Sequence, residues 1–379
     1  MTENYTFSFW EKESFLAPQD YIIIGAGIVG LQAAIAVRQL HPDARIMILE
    51  RGALPSGAST RNAGFACFGS ISEILDDLQK SPESLVADTV KMRFEGLSLL
   101  RKSVPDPMMD YENSGGYEIF RSAEDLKRFV DVIPDLNEKM EDWLGLENVY
   151  QLEESLSEKT GLKDVHGTIV NQYEGLLHPG KMIHYLLEKC NSLKIRIMFG
   201  SNVLHLDEQS NKCEITLSGG KINAGKVLVA TNGFAQRLLP ELEVQPARNQ
   251  VLLTNPIKNL LLKGGYHLDA GYFYFRPVGN RILIGGGRHL AREIEATDAF
   301  GQTEFIHNTL LNLLHTHVLP EQDFAIEHSW SGILGIGSQK KPIIQMTSPS
   351  IGVAVRMGGM GVAIGTLVGI QAAEMISLS

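Results

Sequence analysis

Apolar residues gather in short runs along this chain, and the runs nearest the N-terminus fall in a strand–turn–helix–strand order. Residues 21–24 (YIII) form one run, which Gly25 to Gly30 close with a glycine turn. Residues 31–40 follow, with the small residues Ala33, Ala34 and Ala36, and predict a helix. Residues 45–50 (RIMILE) predict a second strand, so the segment reads as a compact βαβ unit. Further on, 75–104 predicts helix, 116–120 strand, and 122–145 an amphipathic helix interrupted near Pro134. His178-Pro179-Gly180 opens a helix over 181–190, with proline near its first turn. Strands are predicted over 194–198, 202–206, 214–218, 226–230, 250–255, 272–275 and 281–284. A last strand over 351–356 runs through the glycine turn 358–361 into a helix over 362–377.

Two modes of organisation alternate in this pattern. The expected fold is α/β: a Rossmann-type nucleotide domain plus a β-rich domain with helices, both discontinuous. Residues 1–80, 150–243 and 326–379 are expected in the first, and 81–149 and 244–325 in the second. No internal repeat or low-complexity linker interrupts them.

Composition narrows the function classes. With 44% hydrophobic and 21% charged residues over 379 positions, the chain is in the ordinary globular range. The three cysteines, Cys67, Cys190 and Cys213, are too widely spaced for a disulfide framework or a zinc site, which suits a reducing cytoplasm. No metal site is expected. The first twenty residues have neither a basic nor an apolar leader region. The apolar stretch 351–378 carries Arg356, Gln371 and Glu374 and several glycines, and reads as buried strand–turn–helix rather than a membrane span. A net charge of −10 without clustered Lys and Arg disfavours nucleic acid, whose affinity depends on neutralising phosphates.

Four motifs carry candidate chemistry. The first is Gly25-Ala26-Gly27-Ile28-Val29-Gly30, followed by Glu50 twenty positions after Gly30. A pyrophosphate needs close approach to backbone N–H groups at a helix N-terminus, and Glu50 can accept hydrogen bonds from a ribose. That pattern alone leaves FAD and NAD both open. The second is the small, polar run Ser56 to Phe65, containing Ala58, Ser59, Thr60, Arg61, Asn62, Ala63 and Gly64. It can wrap a pyrophosphate and let a flat ring lie against backbone; its plain alternative is a surface turn. The third is the strand end Ala230-Thr231-Asn232-Gly233. The fourth is Gly358-Gly359-Met360-Gly361 before the last helix, whose positive dipole end could face developing negative charge.

Taken in order, these motifs resemble the D-amino-acid oxidase/glycine oxidase superfamily of FAD proteins. Pro246-Ala247-Arg248-Asn249-Gln250 resembles its P-x-R-G-Q element, Tyr274 to Gly285 its roofing strand pair, and Trp330-Ser331-Gly332-Ile333-Leu334-Gly335 its W-S-G-I-R-P element. The resemblance implies that family's fold, FAD as cofactor, and oxidation of a C–N bond. It places Arg51 and Val203 beside the cofactor with the four motifs. It places Arg61, Phe65, Tyr274 and Trp330 around the substrate, with no general base named.

The departures bear on the substrate. The resemblance implies carboxylate-binding arginines where Leu334 and Gly359 stand here. A buried carboxylate without its partner is costly, so a plain α-amino acid fits poorly. The arginine-free W-x-G element and Lys341-Pro342 lie closer to gamma-glutamylputrescine oxidoreductases and related amine oxidases, which implies a small amine substrate. Arg61 or Arg356 could still meet an acid from another direction. Residues 330–340 contain no Cys and 56–65 no His, so FAD is expected to be non-covalent. Leu283 and Ile284 replace the lysine of sarcosine oxidases, which leaves the electron acceptor open, as is the oligomeric state.

Three other readings compete. A flavin hydroxylase would usually carry a Gly-Asp dipeptide before the last helix, and the chain has none. An oxidase for an amino acid with a secondary amine is the second. A non-catalytic FAD-binding or tRNA-modification partner is the third. Among single residues, His178 reads as a helix cap, Cys67 as structural, and Tyr272 and Tyr274 as sharing one strand face.

Overall fold

The computed structural model describes residues 6–156, 160–209 and 212–378. The run predicted at 21–24 is the strand Gln19–Ile24, which pairs in parallel with Ile46–Leu49 on one side and Gly220–Val229 on the other. Ile351–Val355 extends the sheet beyond Gly220–Val229, also in parallel, and Ile343–Met346 closes that edge antiparallel. Arg196–Met198 forms the opposite edge. The hairpin Val203–Gln209/Lys212–Leu217 is paired onto Gly220–Val229.

Continuous apolar runs are what a sheet covered on both faces requires. Ile23, Ile48 and Leu228 point toward the helices Ile28–Leu40, Glu83–Ser103 and Gly361–Leu378. Their neighbours Ile22, Ile24, Met47, Val227 and Val229 point the other way, into a core shared with the hairpin. Glycines let the helices approach closely. A Cβ at Gly369 would lie 2.8 Å from Gln32 Cβ, and one at Gly365 2.6 Å from Ile28 Cγ2. One at Gly96, on the long helix, would collide with the Ala363 carbonyl. The helix Gly361–Leu378 is long and apolar enough to cross a membrane, but more than half of it is buried inside the protein by these partners.

A second eight-stranded sheet follows the order Ile326–Ile336, Gln245–Thr254, Arg281–Gly286, Phe273–Val278, Gly265–Leu268, Gly116–Phe120, Gly167–Asn171, Tyr150–Glu153. All neighbours are antiparallel except Gly265–Leu268 with Gly116–Phe120. One face packs Leu252, Tyr266, Phe275 and Ile284 against the helix Glu304–Leu313. The opposite face turns Tyr274, Val251 and Trp330 toward Ala63 and Phe65.

The elements differ from expectation where proline acts. The helix predicted over 75–104 is two helices, Ile71–Lys80 and Glu83–Ser103, because Pro82 cannot continue the first. The segment 122–145 likewise divides into Ala123–Val130 and Ile133–Leu144, with Pro134 in the second helix's first turn and Gly145 left-handed at its end. The strands Tyr150–Glu153, Gly167–Asn171 and Ile326–Ile336 were expected in the nucleotide part but belong to the second sheet. The helix Glu83–Ser103 was expected in the β-rich part but packs on the first sheet's helices.

Gly96→Ala should lower stability by about 1–3 kcal/mol, because the added carbon overpacks the crossing with Ala363. Chemical denaturation checks this, and a variant as stable as the parent would contradict the close approach.

Candidate active site

The glycine turn is built by the sheet itself. Gly25, at φ +108°, receives its backbone position from the Gly25 N–H donating to the Leu49 carbonyl at 2.8 Å. A side chain at Gly30 would collide with the Gly25 carbonyl, so glycine here lets the helix Ile28–Leu40 sit directly on the strand before it. Gly27 caps that helix in extended backbone. The Ile28 N–H, an amide without an intrahelical partner, donates to Ser59 Oγ at 3.0 Å. Glu50 is buried. Its Oε2 accepts from the Ala26 N–H and its Oε1 from the Gly52 N–H, each at 3.0 Å. The carboxylate thus pins the glycine turn to the end of the second strand.

The run 56–65 is a short helix, Ala58–Arg61, followed by a strand of two residues, Phe65–Ala66. Thr60 donates to the Pro55 carbonyl, and Asn62 closes the turn by accepting from the Gly64 N–H at 2.8 Å. Arg276 reaches over from the second sheet, its Nη1 donating to the carbonyls of Ala63, Gly64 and Leu177 at 3.2, 3.0 and 2.8 Å. Burial draws this guanidinium down to about 10. Arg61 donates to the Ser56 and Ser331 carbonyls and lies over the Phe300 ring at 4.4 Å.

At the third motif, Asn232 joins two segments far apart in sequence. Its Oδ1 accepts from the Arg356 and Met357 amides at 3.1 and 3.2 Å, which fixes the turn before the last helix. Gly358 and Gly359 take positive φ there. Arg356 points away from the cleft, donating to Glu243 Oε2 at 2.8 Å and to the carbonyls of Glu243 and Lys341. It is therefore no free anion partner.

One cleft runs between these motifs. Its walls include Gly25, Gly27, Ile28, Val29, Glu50 and Arg51 from the first unit, and Ala58, Ser59 and Asn62 from the second. Val203, Ala230, Thr231 and Asn232 add the middle, and Gly359, Gly361 and Val362 the far end. Ala26, Gly30, Thr60, Arg61, Ala63, Gly64, Gly233, Gly358 and Met360, also expected at the cofactor, are not among the residues that line the cleft. The Gly233 position, for one, has no room for a side chain beside the Leu334 carbonyl.

The register of the second sheet sets Trp330, Val251, Gly285, Tyr274, His267 and Glu118 in one cross-strand row. Their side chains share one face. Phe65 packs onto this row, 5.6 Å from the Tyr274 ring and 4.9 Å from His267. Trp330 Nε1 donates to the Arg61 carbonyl at 3.0 Å. Arg61, Phe65, Tyr274 and Trp330, all expected around the substrate, thus pack on one another, but none of them is among the residues that line the cleft. Tyr274 Oη accepts from Asn249 Nδ2 at 2.9 Å. Tyr272 departs from expectation: it lies outside the strand, exposed, with its ring on His289 at 4.3 Å.

The FAD-dependent oxidoreductase family of D-amino-acid oxidase type matches residues 20–375. The chain belongs to this family. It is an FAD-dependent oxidoreductase. Among similar proteins, the probable oxidoreductase OrdL of Rhizobium meliloti is 24% identical over 94% of this chain and 82% of its own length. The beta subunit of sarcosine oxidase from Rhodobacter capsulatus is 21% identical, over 93% and 83%. Among solved structures, L-proline dehydrogenase from P. horikoshii superposes with a TM-score of 0.77 at 17% identity, covering 96% of this chain and 94% of that one. Glycine oxidase from Bacillus cereus gives 0.74 at 17% identity, over 95% and 97%. At these identities, the structures establish the fold.

The cleft fits the family's cofactor. Gly27 and Gly30 leave backbone at a helix N-terminus uncovered for a pyrophosphate, and Glu50 offers a fixed carboxylate to a ribose. Thr231 Oγ1 is buried without a partner in the bare protein, as a hydroxyl would be whose partner is a ligand. Sequence reasoning missed Met182, Ser201, Phe234, Arg237 and Met357, which also line the cleft. Met182 had a signal, since it lies on the helix opened by His178, whose Nδ1 caps it by accepting from the Lys181 N–H. The others come from turns whose positions only the tertiary fold defines. Burial raises the Cys67 thiol well above its ordinary value, in keeping with a structural role. Among the described residues, no group of side chains could hold a metal ion.

Two acids, the half-buried Glu73 and the buried Glu174, lie close to the segment that follows the strand Phe65–Ala66. Burial would raise Glu73, but Arg93 and Lys340, at 3.0 and 2.7 Å, outweigh it and bring the carboxyl to about 2. Glu174 has no such cation in contact. Burial raises it to about 8, against the Gly69 and Phe68 amides that donate to its Oε1. With the folded value above the ordinary one, its stabilising contribution is full below the normal carboxyl range. It is lost as pH rises through about 8.

Two outcomes follow from this geometry. Glu174→Gln and the parent should melt alike near about pH 5, while near about pH 9 the variant should melt higher. Parallel melting curves at both pH values would contradict the raised acid. Gly27→Val should abolish FAD binding, because the side chain fills the pyrophosphate approach, while Glu50→Ala should weaken it by roughly 1.5–3 kcal/mol per lost charged hydrogen bond. Flavin occupancy of the purified variants measures both, and full occupancy in Gly27→Val would overturn the assignment.

Proposed function

We propose that this enzyme oxidises a C–N bond of a small amine, with FAD held non-covalently. The observation that carries the reading is apolar. Leu334 lines the cleft, and a Cβ built on Gly359 would sit 4.0 Å from Leu334 Cδ1. The two positions where the resemblance implies carboxylate-binding arginines thus adjoin, and neither carries charge. Arg356 is paired with Glu243 and does not replace them. FAD bound in the cleft would supply the acceptor for a hydride, which carries both electrons of the oxidation.

The protein's part is position and exclusion of water. Phe65, Tyr274 and Trp330 form an aromatic wall that packs methylenes and faces an amine cation. The N-terminus of the helix Gly361–Leu378 presents its positive dipole end to the cleft. Non-covalent attachment is supported by the absence of Cys over 330–340 and of His over 56–65. Heat or acid should release free FAD.

The deciding experiment is an anaerobic screen that follows flavin bleaching at about 450 nm. Amines without an α-carboxylate should reduce the flavin on the order of a hundredfold faster than glycine, sarcosine or D-alanine, since a buried unpaired carboxylate costs several kcal/mol. Faster bleaching by any of those three amino acids would replace this reading with that of an amino-acid oxidase.

A further inference from the structure

We propose that Arg51 and Phe234 form a bar across the ribose end of the FAD cleft, braced from outside by Asp298 and Phe300, and that opening of this bar sets how fast the cofactor enters and leaves. The inference concerns the cofactor alone and does not depend on which substrate is oxidised.

The bar follows from sheet order. Gln19–Ile24 lies between Ile46–Leu49 and Gly220–Val229, and the glycine turn starts at its end. Arg51 follows the first of these neighbours and Phe234 the second. Their side chains meet, with Arg51 Cζ 3.7 Å from the centre of the Phe234 ring. Both residues line the cleft, as does Glu50, so the contact spans it where the ribose carboxylate stands. A cofactor that reaches the glycine turn from the carboxyl ends of these strands passes this contact.

The brace comes from the other sheet. Buried Glu295 accepts from Arg248 Nε and Gln250 Nε2 at 2.8 and 2.9 Å, and the Thr303 hydroxyl donates to the same carboxylate at 2.8 Å. Arg248 and Gln250 share one strand, Gln245–Thr254, so the chain departs from and returns to one place, and residues 296–302 loop out between. The Gly301 N–H donates at 3.0 Å to Ser331 Oγ on the sheet's edge strand, which carries the loop past that edge. There Asp298 accepts from Arg237 Nε at 2.6 Å. The Phe300 ring lies 6.1 Å from the Phe234 ring, with the Cζ atoms of Arg61 and Arg51 at 4.4 and 5.9 Å from it. Neither Asp298 nor Phe300 lines the cleft, so they hold the bar without occupying the cofactor's place.

The closure is weak in its middle and firm at its ends. Two guanidiniums, of Arg51 and Arg237, share the Phe234 ring at 3.7 and 5.3 Å. Like charges this close repel, and burial and Arg237 both disfavour the Arg51 charge. Asp298 offsets one of the two charges, but its pair with Arg237 is open to water and contributes little. Buried hydrogen bonds fix Glu295 and Thr303, whereas exposed contacts hold what lies between. That is the arrangement of a segment that opens locally while the rest stays folded.

Diluting the FAD-loaded enzyme tests this, because FAD fluoresces more strongly once free. The rate at which fluorescence rises gives the release rate, and its final level gives the Kd. Phe300→Ala should release FAD about tenfold faster, the scale of one cation–π contact. Asp298→Asn should release it about threefold faster, the scale of one exposed ion pair. In both, Kd should stay within about twofold of the parent, since a bar that opens more readily speeds entry as much as exit. Phe300→Tyr keeps the ring and should keep the parent rate. Phe300 is 41% exposed, so its truncation leaves the core intact. Unchanged release in Phe300→Ala would overturn the brace. So would a Kd that rises as far as the release rate does, because Phe300 would then be a binding contact and not part of a gate.

Discussion

The contact on which this molecule depends is the one between the helix Ile28–Leu40 and its own preceding strand. With no side chain at Gly30, the helix starts almost on the Gly25 carbonyl, and its free amides open toward the cleft. Glu50 then locks the turn through the Ala26 amide, and Asn232 ties the strand end to the start of the last helix. The cleft is the space left over by these fixations. Its walls combine glycines and other small residues with larger ones such as Met182, Phe234 and Leu334.

The second sheet supplies what the first cannot. Its inner face puts an aromatic row opposite the 61–65 turn and sends Arg276 across to hold three carbonyls of the neighbouring segments. The chamber's polarity is then decided by which arginines already have partners. Most do, through Glu243, Glu295 or main-chain oxygens, so the character of the site comes from the few groups left over.

Much of this was legible in the chain. The glycine spacing, the acidic residue at the second strand's end and the final glycine turn are local patterns with local causes. Each lies where expected along the cleft. The convergence of Arg61, Phe65, Tyr274 and Trp330 came through resemblance, since residues more than 200 positions apart show no joint periodicity. Pairing was not legible. Arg356 next to a glycine turn looks free in sequence, and only the fold places Glu243 beside it. The strands at 150–153 and 167–171 carry short, mixed patterns, and their place in the second sheet follows from long-range register with Gly116–Phe120.

The parallel sheet joins Gln19–Ile24 to Gly220–Val229 and then to Ile351–Val355, and the helix Gly361–Leu378 covers the helix formed by residues 28–40. The glycine motif at residues 25–30 is thus roofed by a helix far along the chain. Until Gly361–Leu378 is in place, Ile28–Leu40 has an uncovered apolar side and the nucleotide cleft lacks its far wall. Such sequence-distant closure folds slowly, because loop-closure entropy comes before the contacts that offset it. In that interval the uncovered side is the kind of transient apolar surface that favours aggregation.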